Sequence, residues 1–366
     1  MSPAPDVDAR LRAPVVAAAA VSLAAWLALE VVSPRPTLEW SAAMEAAATG
    51  MAEAVAVTGA FVEAEGLAVA PELDPNGTGL VGPAYGELFT TLGHLEAKRT
   101  TTNPDVAAVL AHLLGEAGVG PGDTVAVGAS GSFPALLVAT LTAAEALGAH
   151  PRAILSLGAS SHGATRPDFD LLHLHELLLE RNVVHAPPVA VSPGGHRDRG
   201  EDFEPDVRDR LLERLSRGAY PVIHERDLRA SVARRMELYA GGAPPAAFVN
   251  IGGADANVGT DPSILGVPPG RVDSLPLPRP EHRGVLHEMA ALGVPVIHLL
   301  DIRQLALQHG LPWDPVPLPE PGATRLTRSL PERSGAFWAV SAVWLAALAG
   351  IVAATLRARH RSHGGA

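Results

Sequence analysis

The sequence predicts an α/β fold with a mostly parallel, doubly wound sheet, helices on both faces, and one transmembrane helix at each end. Three observations predict it. Short apolar runs typical of buried strands alternate with helical patterns through the middle of the chain. Small, glycine-bearing segments follow several of these runs. An apolar stretch long enough to cross a bilayer lies near each terminus.

Residues 13–32 form the first apolar stretch and contain a single charge, Glu30. Arg10 and Arg12 precede it, so the segment could be a cleaved signal peptide or an uncleaved membrane anchor. Its length, and the lack of a small-residue cleavage pair just past its end, favour the anchor.

The second apolar stretch, residues 336–356, is followed by an arginine-rich tail, residues 357–366. Arginines concentrate on the cytoplasmic side of membrane helices, so we expect this tail and residues 1–12 in the cytoplasm. The protein is then a two-pass protein of the cell membrane whose main domain is extracytoplasmic. Because the terminal segments together are net basic, the stretch between them is more acidic than the whole chain, whose formal charge is −11.

Residues 33–84 predict a membrane-proximal helix over 40–57 and then a turn-rich loop over 71–83. The main α/β domain is expected over residues 85–310. It starts with a helix that Asn103 and Pro104 begin and Gly118 ends.

Next along the chain, the sequence predicts a strand at 124–128, a helix from Ser132 or Pro134 to Leu147, and a strand at 153–157. This order implies two parallel strands joined by a right-handed crossover. Further helices are predicted at 168–181, 206–217, 227–239 and 281–292, and further strands at 189–192, 247–251 and 294–299. Residues 311–335 begin with regularly spaced prolines, which predict an extended spacer before the second membrane segment.

Composition excludes several classes of function. Of the 366 residues 18% are charged, and the net negative charge argues against general affinity for nucleic acids. Cysteine is absent, which removes disulfides, thiolate metal sites and cysteine nucleophiles. Lys98 is the only lysine, so an internal Schiff base has one possible location. We predict no metal site, because His173 and His175 are two residues apart on a predicted helix, where side chains diverge.

Four glycine-bearing loops follow predicted strands. In open α/β sheets ligands bind beyond the carboxyl ends of the strands, and small residues let backbone N–H groups approach them closely. We therefore predict a pocket for a small polar or anionic ligand. Its residues are Ser130, Gly131, Ser132, Ser160, Ser161, Gly194, Gly195, Asn250, Gly252, Gly253 and Asn257, joined by Lys98 and Arg99, which could meet an anion or form a surface pair.

Two alternatives concern Ser130 and Ser132. Either serine could cap the next helix, with or without a ligand at the helix N-terminus. Residues 128–132 also match the Gly-x-Ser-x-Gly nucleophile elbow except at the fifth position, which makes Ser130 the candidate nucleophile of a hydrolase. Whether the protein is an enzyme stays open. The sequence identifies no cofactor, because neither a P-loop lysine nor a Gly-x-Gly-x-x-Gly motif follows the first predicted strand.

Four segments resemble the poly-γ-glutamate system protein family. They are residues 97–104, 127–136, 157–160 and 250–259, and the Ser-Gly-Ser-Phe-Pro and Asn-Ile-Gly-Gly motifs among them are fairly specific. The resemblance spans about residues 90–259. It implies a membrane-anchored companion of poly-γ-glutamate synthesis and export, with the other membrane components of that system as partners. It carries over no catalytic residue.

The first expectation is therefore an accessory protein of poly-γ-glutamate biosynthesis or export that binds a small polar or anionic ligand in its outer domain. One alternative is a serine-dependent hydrolase or transferase acting on the γ-glutamyl polymer, and another is a structural scaffold for membrane partners. Since an acidic domain repels a polyanion at long range, a local site for a chain end or a single glutamyl unit is easier to reconcile with the charge.

Overall fold

The computed structural model describes residues 7–33, 38–324 and 333–363. The chain divides into two compact units, one formed by its two ends and the other by Glu39–Thr327. The predicted cytoplasmic segment 1–12, the spacer 311–335 and the tail 357–366 lie partly outside the described residues.

Helices and strands are interspersed along the chain. The helices are α1 (Val7–Val32), α2 (Ser41–Ala64), α3 (Leu95–Thr101), α4 (Asp105–Glu116), α5 (Pro134–Ala146), α6 (Leu171–Glu180), α7 (Pro205–Arg217), α8 (Leu228–Ala240), α9 (Asp255–Val258), α10 (Val285–Ala291), α11 (Ile302–His309) and α12 (Gly335–His363). The strands are β1 (Phe89–Thr91), β2 (Thr124–Ser130), β3 (His150–Ser156), β4 (Ala159–Ser160), β5 (Ala190–Ser192), β6 (Ala247–Ile251), β7 (Gly270–Val272) and β8 (Val296–Leu299).

The terminal unit consists of two apolar helices that are long enough to cross a membrane. Arg12–Val32 in α1 has a mean hydropathy of 2.2, and Gly335–Ala358 in α12 has 2.1. The two helices pack against each other, and the Trp344 indole N–H donates to Ser22 Oγ at 3.1 Å. These helices fit the two predicted membrane segments of a two-pass protein.

The second unit is built on a six-stranded sheet with the order β5–β3–β2–β6–β8–β7. The first five strands are parallel, and β7 is antiparallel to β8 at one edge. From the centre, β2 leads outward to β3 and β5, whereas β6 leads to β8 on the other side. The predicted α/β fold with a mostly parallel sheet and surrounding helices is therefore confirmed.

Central strands form where the chain is continuously apolar, because a parallel strand covered on both faces has no solvated side. In β2, Val125, Ala126, Val127 and Ala129 are completely buried. This strand extends two residues beyond its predicted end, so Ser130 is its last residue rather than part of a loop. Sequence patterning missed α3, because the segment has no apolar periodicity.

Helix α2, which contains the predicted membrane-proximal helix, belongs to the compact α/β unit. It packs against α4 and α5 and buries Met44, Ala48 and Met51. Its many alanines let the neighbouring helices approach closely. The predicted domain boundary at residue 85 therefore falls within one compact unit.

The proline-rich segment is also packed against this unit as far as it is described. The Arg99 guanidinium binds both carboxylate oxygens of Asp314, with Nε 2.6 Å from Oδ1. Asn76 Nδ2 donates to Pro315 O at 2.9 Å, and the Gly322 N–H donates to Asp105 Oδ1 at 2.6 Å. Specific polar bonds therefore hold the described part of the predicted spacer, residues 311–324, to the domain.

A completely buried ion pair ties β3 and β5 to α8. Arg235 Nη2 donates to Asp198 Oδ2 at 2.7 Å, and neither side chain is exposed. The same nitrogen donates to the hydroxyls of Ser156 at 3.0 Å and Ser192 at 2.8 Å, the last residues of the two strands. Ser231 Oγ donates to Asp198 at 2.5 Å. The network fixes the carboxyl ends of β3 and β5.

We expect Arg235→Met to destabilise the protein by about 3 kcal/mol or more, because it leaves the Asp198 carboxylate buried without its partner. Arg234→Met is the matched control, since Arg234 is exposed and pairs with Glu237 on the surface. Its effect should stay within about 0.5 kcal/mol. Urea unfolding of the full chain in detergent measures both changes, and equal losses for the two variants would contradict the structural role of the buried pair.

Candidate functional site

A large cavity in the α/β unit lies at the carboxyl ends of its parallel strands. Its volume is about 920 Å³. Residues that follow β2, β3, β5, β6 and β8 line it, because the carboxyl ends of parallel strands meet at one edge of the sheet. The neighbouring strands β2 and β6 lead the chain in opposite directions, which is the position where open α/β sheets form a crevice.

The structure brings part of the predicted site together in this cavity. The predicted residues that line it are Lys98, Ser130, Ser132, Ser160, Gly195 and Gly253. They come from five separate segments of the chain, so sheet topology rather than sequence proximity assembles them.

The other predicted residues do not line the cavity. Gly131 donates its N–H to Ser156 O at 2.9 Å, and Gly194 accepts from the Gly200 N–H at 2.6 Å. Ser161 is buried, with its N–H bonded to Thr91 O. Their backbones hold the loops beside the cavity.

Three further predicted residues lie behind the cavity wall. Asn250 is buried in β6, where its Nδ2 lies 2.9 Å from His298 Nδ1. Asn257 is buried against Gly128. Gly252 has a φ of +78°, and a Cβ there would lie 2.4 Å from Ser130 Oγ, so only glycine lets the two loops come this close.

Arg99 is held away from the cavity by its ion pair with Asp314, which raises the pKa of the guanidinium further. Lys98, the neighbouring residue on α3, is buried instead, with only 2% of its surface exposed. The two adjacent cations, predicted together, therefore have different roles: Arg99 anchors the proline-rich segment and Lys98 lines the cavity.

Lys98 lies at the centre of the polar contacts in the cavity wall. Its Nζ donates to Ser160 Oγ at 2.7 Å and to the backbone oxygen of Ser132. The same atom lies 3.6 Å from the centroid of the Phe133 ring, which gives a cation–π contact. Among the described residues, no carboxylate forms an ion pair with it. Because burial removes water from the ammonium, the pKa of Lys98 is lowered to about 7.

The neighbouring chain holds Ser160 against Lys98. Strand β4 pairs with β1, where Ser160 lies opposite Thr91, and the Ser160 N–H donates to Ser132 Oγ at 3.0 Å. A Cβ at Gly93 would lie 2.9 Å from Ser160 Oγ and 3.3 Å from Lys98 Cε. Only glycine at position 93 therefore leaves room for this serine and lysine to meet.

Neither Ser130 nor Ser132 caps α5. Phe133 occupies the N-cap position, and no side chain there bonds to the first amides of the helix. Ser132 Oγ accepts from Ser160 instead, and Ser130 Oγ donates to Ile251 O at 3.2 Å. The capping interpretation is wrong, because β2 continues to Ser130 and the serines face the cavity side of the turn. Within the described residues Ser130 has no basic side chain as partner, whereas Ser160 has one.

A second group of ionisable side chains lines the cavity beside the loops after β5 and β6. His196 Nδ1 lies 3.4 Å from Asp255 Oδ2, which also accepts from the Arg197 N–H at 2.9 Å. Burial raises the pKa of Asp255. With Asp202, this group makes the lining mixed in charge rather than uniformly cationic.

Sequence reasoning missed a large part of the lining. The missed residues include Thr90, Leu92, His94, Ile264, Leu265, Asp301, Arg303 and Trp313. Asp301 and Arg303 follow the strand β8. The rule that ligands bind beyond the carboxyl ends of the strands would therefore have found them, had it been applied to β8 as well. Thr90 and Trp313 belong to segments without glycine-rich composition, and no local signal marks them.

Two other features of the described residues bear on ligand binding. A smaller cavity of about 360 Å³ lies beside α2 and α6, and none of the predicted site residues lines it. No group of three or more His, Asp or Glu side chains within the described ranges is arranged to hold a metal ion.

We expect Lys98 to react with acetic anhydride half-maximally near pH 7, because only the neutral amine is nucleophilic and burial lowers its pKa. Peptide mapping by mass spectrometry over a pH series separates this residue, the only lysine, from the N-terminal amine. Denatured protein is the control, in which the midpoint should return to about 10.4. A midpoint near that value in the folded protein would contradict the assigned environment.

Comparisons with protein-family models, with curated proteins and with solved structures give no match for this chain. The assignment of a function therefore depends on the cavity, on the chemistry of its side chains and on the sequence motifs that surround it.

Proposed function

We propose that the α/β unit binds a small carboxylate-bearing ligand in the large cavity, with the ligand carboxylate against Lys98. The protein that carries it is proposed to be a membrane-anchored accessory component of poly-γ-glutamate biosynthesis or export. One observation supports the binding role above all others: the only lysine of the chain lines a cavity of about 920 Å³ and forms no ion pair within the described residues.

The hydrogen bonds of Lys98 explain why a carboxylate fits. A protonated lysine has three N–H donors, and Lys98 uses two of them on Ser132 O and Ser160 Oγ. Neither acceptor is charged, so the positive charge is uncompensated when the amine is protonated. A ligand carboxylate would supply the third acceptor and the opposite charge beside a buried ammonium, where such a bond is strong.

The chemistry of poly-γ-glutamate supports the choice of ligand. Each glutamyl unit of that polymer has a free carboxylate, and the motifs around Lys98 and Ser132 belong to the segments that resemble the family. The lining also contains Asp202, Asp255 and Asp301, which would repel a long polyanion. We therefore propose a chain end or a short glutamyl unit as the ligand, rather than the extended polymer.

We further propose that α1 and α12 cross the membrane and that the chain ends lie in the cytoplasm. The hydropathies of the two helices and the arginines near both ends of the chain support this orientation. The α/β unit would then be extracytoplasmic. We also infer that the sheet is doubly wound, since the strand order runs outward from β2 and β6 in opposite directions.

Isothermal titration of the full chain in detergent with γ-glutamyl-glutamate tests the binding proposal. We expect Lys98→Met to weaken binding at pH 6 about tenfold or more, because it removes a charge-assisted hydrogen bond of roughly 1.5 kcal/mol. Wild-type affinity should fall as the pH rises above about 7, since binding must then also protonate Lys98.

Arg234→Met is the control variant, because it removes the same charge from the exposed surface of α8. Its affinity and pH dependence should match those of the wild type. The ligand assignment is wrong if Lys98→Met binds the dipeptide as tightly as Arg234→Met does at pH 6.

Alkaline phosphatase fused after Gly242 tests the orientation. Gly242 follows α8 in an exposed turn of the α/β unit, so a phosphatase inserted between Gly242 and Ala243, with the rest of the chain kept, should leave the fold intact. We expect an active phosphatase at this position, since the enzyme matures only outside the cytoplasm, and an inactive one after Ala366. The reverse pattern would place the α/β unit in the cytoplasm.

A further inference from the structure

We propose that Ser160 and Lys98 form a nucleophile–base pair that breaks an amide or ester bond of the bound ligand by acyl transfer. This inference rests on the proposed function for its substrate class, a γ-glutamyl amide. It assigns the nucleophile to Ser160, at the end of β4, and not to Ser130, where the nucleophile-elbow motif suggested it.

The first argument is geometric. Ser160 Oγ and Lys98 Nζ are 2.7 Å apart, within the distance over which a general base removes a proton from a nucleophile. Both residues line the same cavity, which is large enough for a small substrate. Ser132 holds both members of the pair. Its backbone oxygen accepts from Lys98 Nζ, and its hydroxyl accepts from the Ser160 N–H.

The second argument concerns the protonation state. A lysine can act as a base only when it is neutral, and burial brings the pKa of Lys98 to about 7. In the neutral form one N–H still donates to Ser132 O, and the nitrogen lone pair can accept the Ser160 hydroxyl proton. The absence of an ion-pairing carboxylate among the described residues keeps the neutral form accessible.

The reaction balances with water as the only co-reactant. Nζ takes the Ser160 hydroxyl proton while Oγ bonds to the carbonyl carbon of the substrate. The ammonium returns this proton to the leaving amine as the C–N bond breaks, which leaves an acyl ester on Ser160. Water then attacks the ester, Nζ takes a water proton and returns it to Oγ, and the free carboxylic acid departs. A second amine in place of water would give transfer instead of hydrolysis.

Other ionisable groups face the same region and must be separated from Lys98 in any pH profile. His162, from the turn after β4, interacts electrostatically with Lys98 and with Glu96 on α3. Glu96 itself also lines the cavity. The remaining ionisable groups of the cavity lining are His94, His196, Asp202, Asp255, Asp301 and Arg303. Comparing the wild type with Lys98→Met assigns the titration, because these groups are common to both proteins.

Two chromogenic probes test the proposal on the full chain in detergent. γ-Glutamyl-p-nitroanilide is an amide of the proposed class, and p-nitrophenyl acetate reports a nucleophilic serine whatever acyl group it prefers. We expect the wild type to release both chromophores, with a rate that rises through about pH 7 as Lys98 loses its proton. Mass spectrometry of the quenched reaction should find the acyl group on Ser160.

Ser160→Ala should lower both rates at least about 100-fold, because it removes the nucleophile. It should keep the wild-type melting temperature, which separates loss of chemistry from loss of folding. Lys98→Met should lose both rates and the pH dependence. Ser216→Ala, an exposed serine of α7, is the control and should behave like the wild type.

The outcomes separate this inference from the proposed function. If γ-glutamyl-glutamate binds but neither probe is cleaved in a Ser160-dependent way, the catalytic pair is overturned and the binding role stands. If p-nitrophenyl acetate alone is cleaved through Ser160 and the dipeptide does not bind, the pair stands and the γ-glutamyl ligand is overturned. Equal activity in Ser160→Ala and the wild type would also overturn the pair.

Discussion

The burial of one ammonium group is the constraint on which the site depends. Removing a lysine from water is costly unless an opposite charge accompanies it, and the Lys98 ammonium contacts a hydroxyl, a carbonyl and an aromatic ring, with no ion pair among the described residues. The surrounding chain is arranged to keep it there. Gly93 leaves space for it, Phe133 covers it, and Ser132 holds both it and Ser160.

The same residue has two complementary chemistries, and the balance between them depends on its proton. Protonated, Lys98 is a cation suited to a carboxylate; neutral, it is a base beside a hydroxyl. Because burial places its pKa near 7, both forms exist at neutral pH. In the proposed reaction, binding of a carboxylate product and attack on a carbonyl substrate would use different protonation states of this one side chain.

The sequence predicted the parallel sheet well, because a short, continuous apolar run such as 247–251 is typical of a strand that is buried on both faces. It also predicted that loops after the strands meet, and six of the thirteen predicted site residues line one cavity. It could not predict that Lys98 and Ser160 pair, because α3 and β4 are short and meet only through tertiary packing. Local composition likewise could not distinguish Lys98 from Arg99, whose environments differ because Asp314 arrives from more than two hundred residues away.

The two edges of the six-stranded sheet are three-residue strands, β5 and β7, and a pair of prolines precedes each of them, at 187–188 and 268–269. Proline lacks the amide hydrogen that another strand would need, and so short an edge offers few free backbone groups. The free edge of β5 is also covered in part, because Val222 forms a parallel bridge with Val191. The margins of the sheet are therefore poor templates for strand addition, which guards many copies crowded side by side against polymerising into fibres.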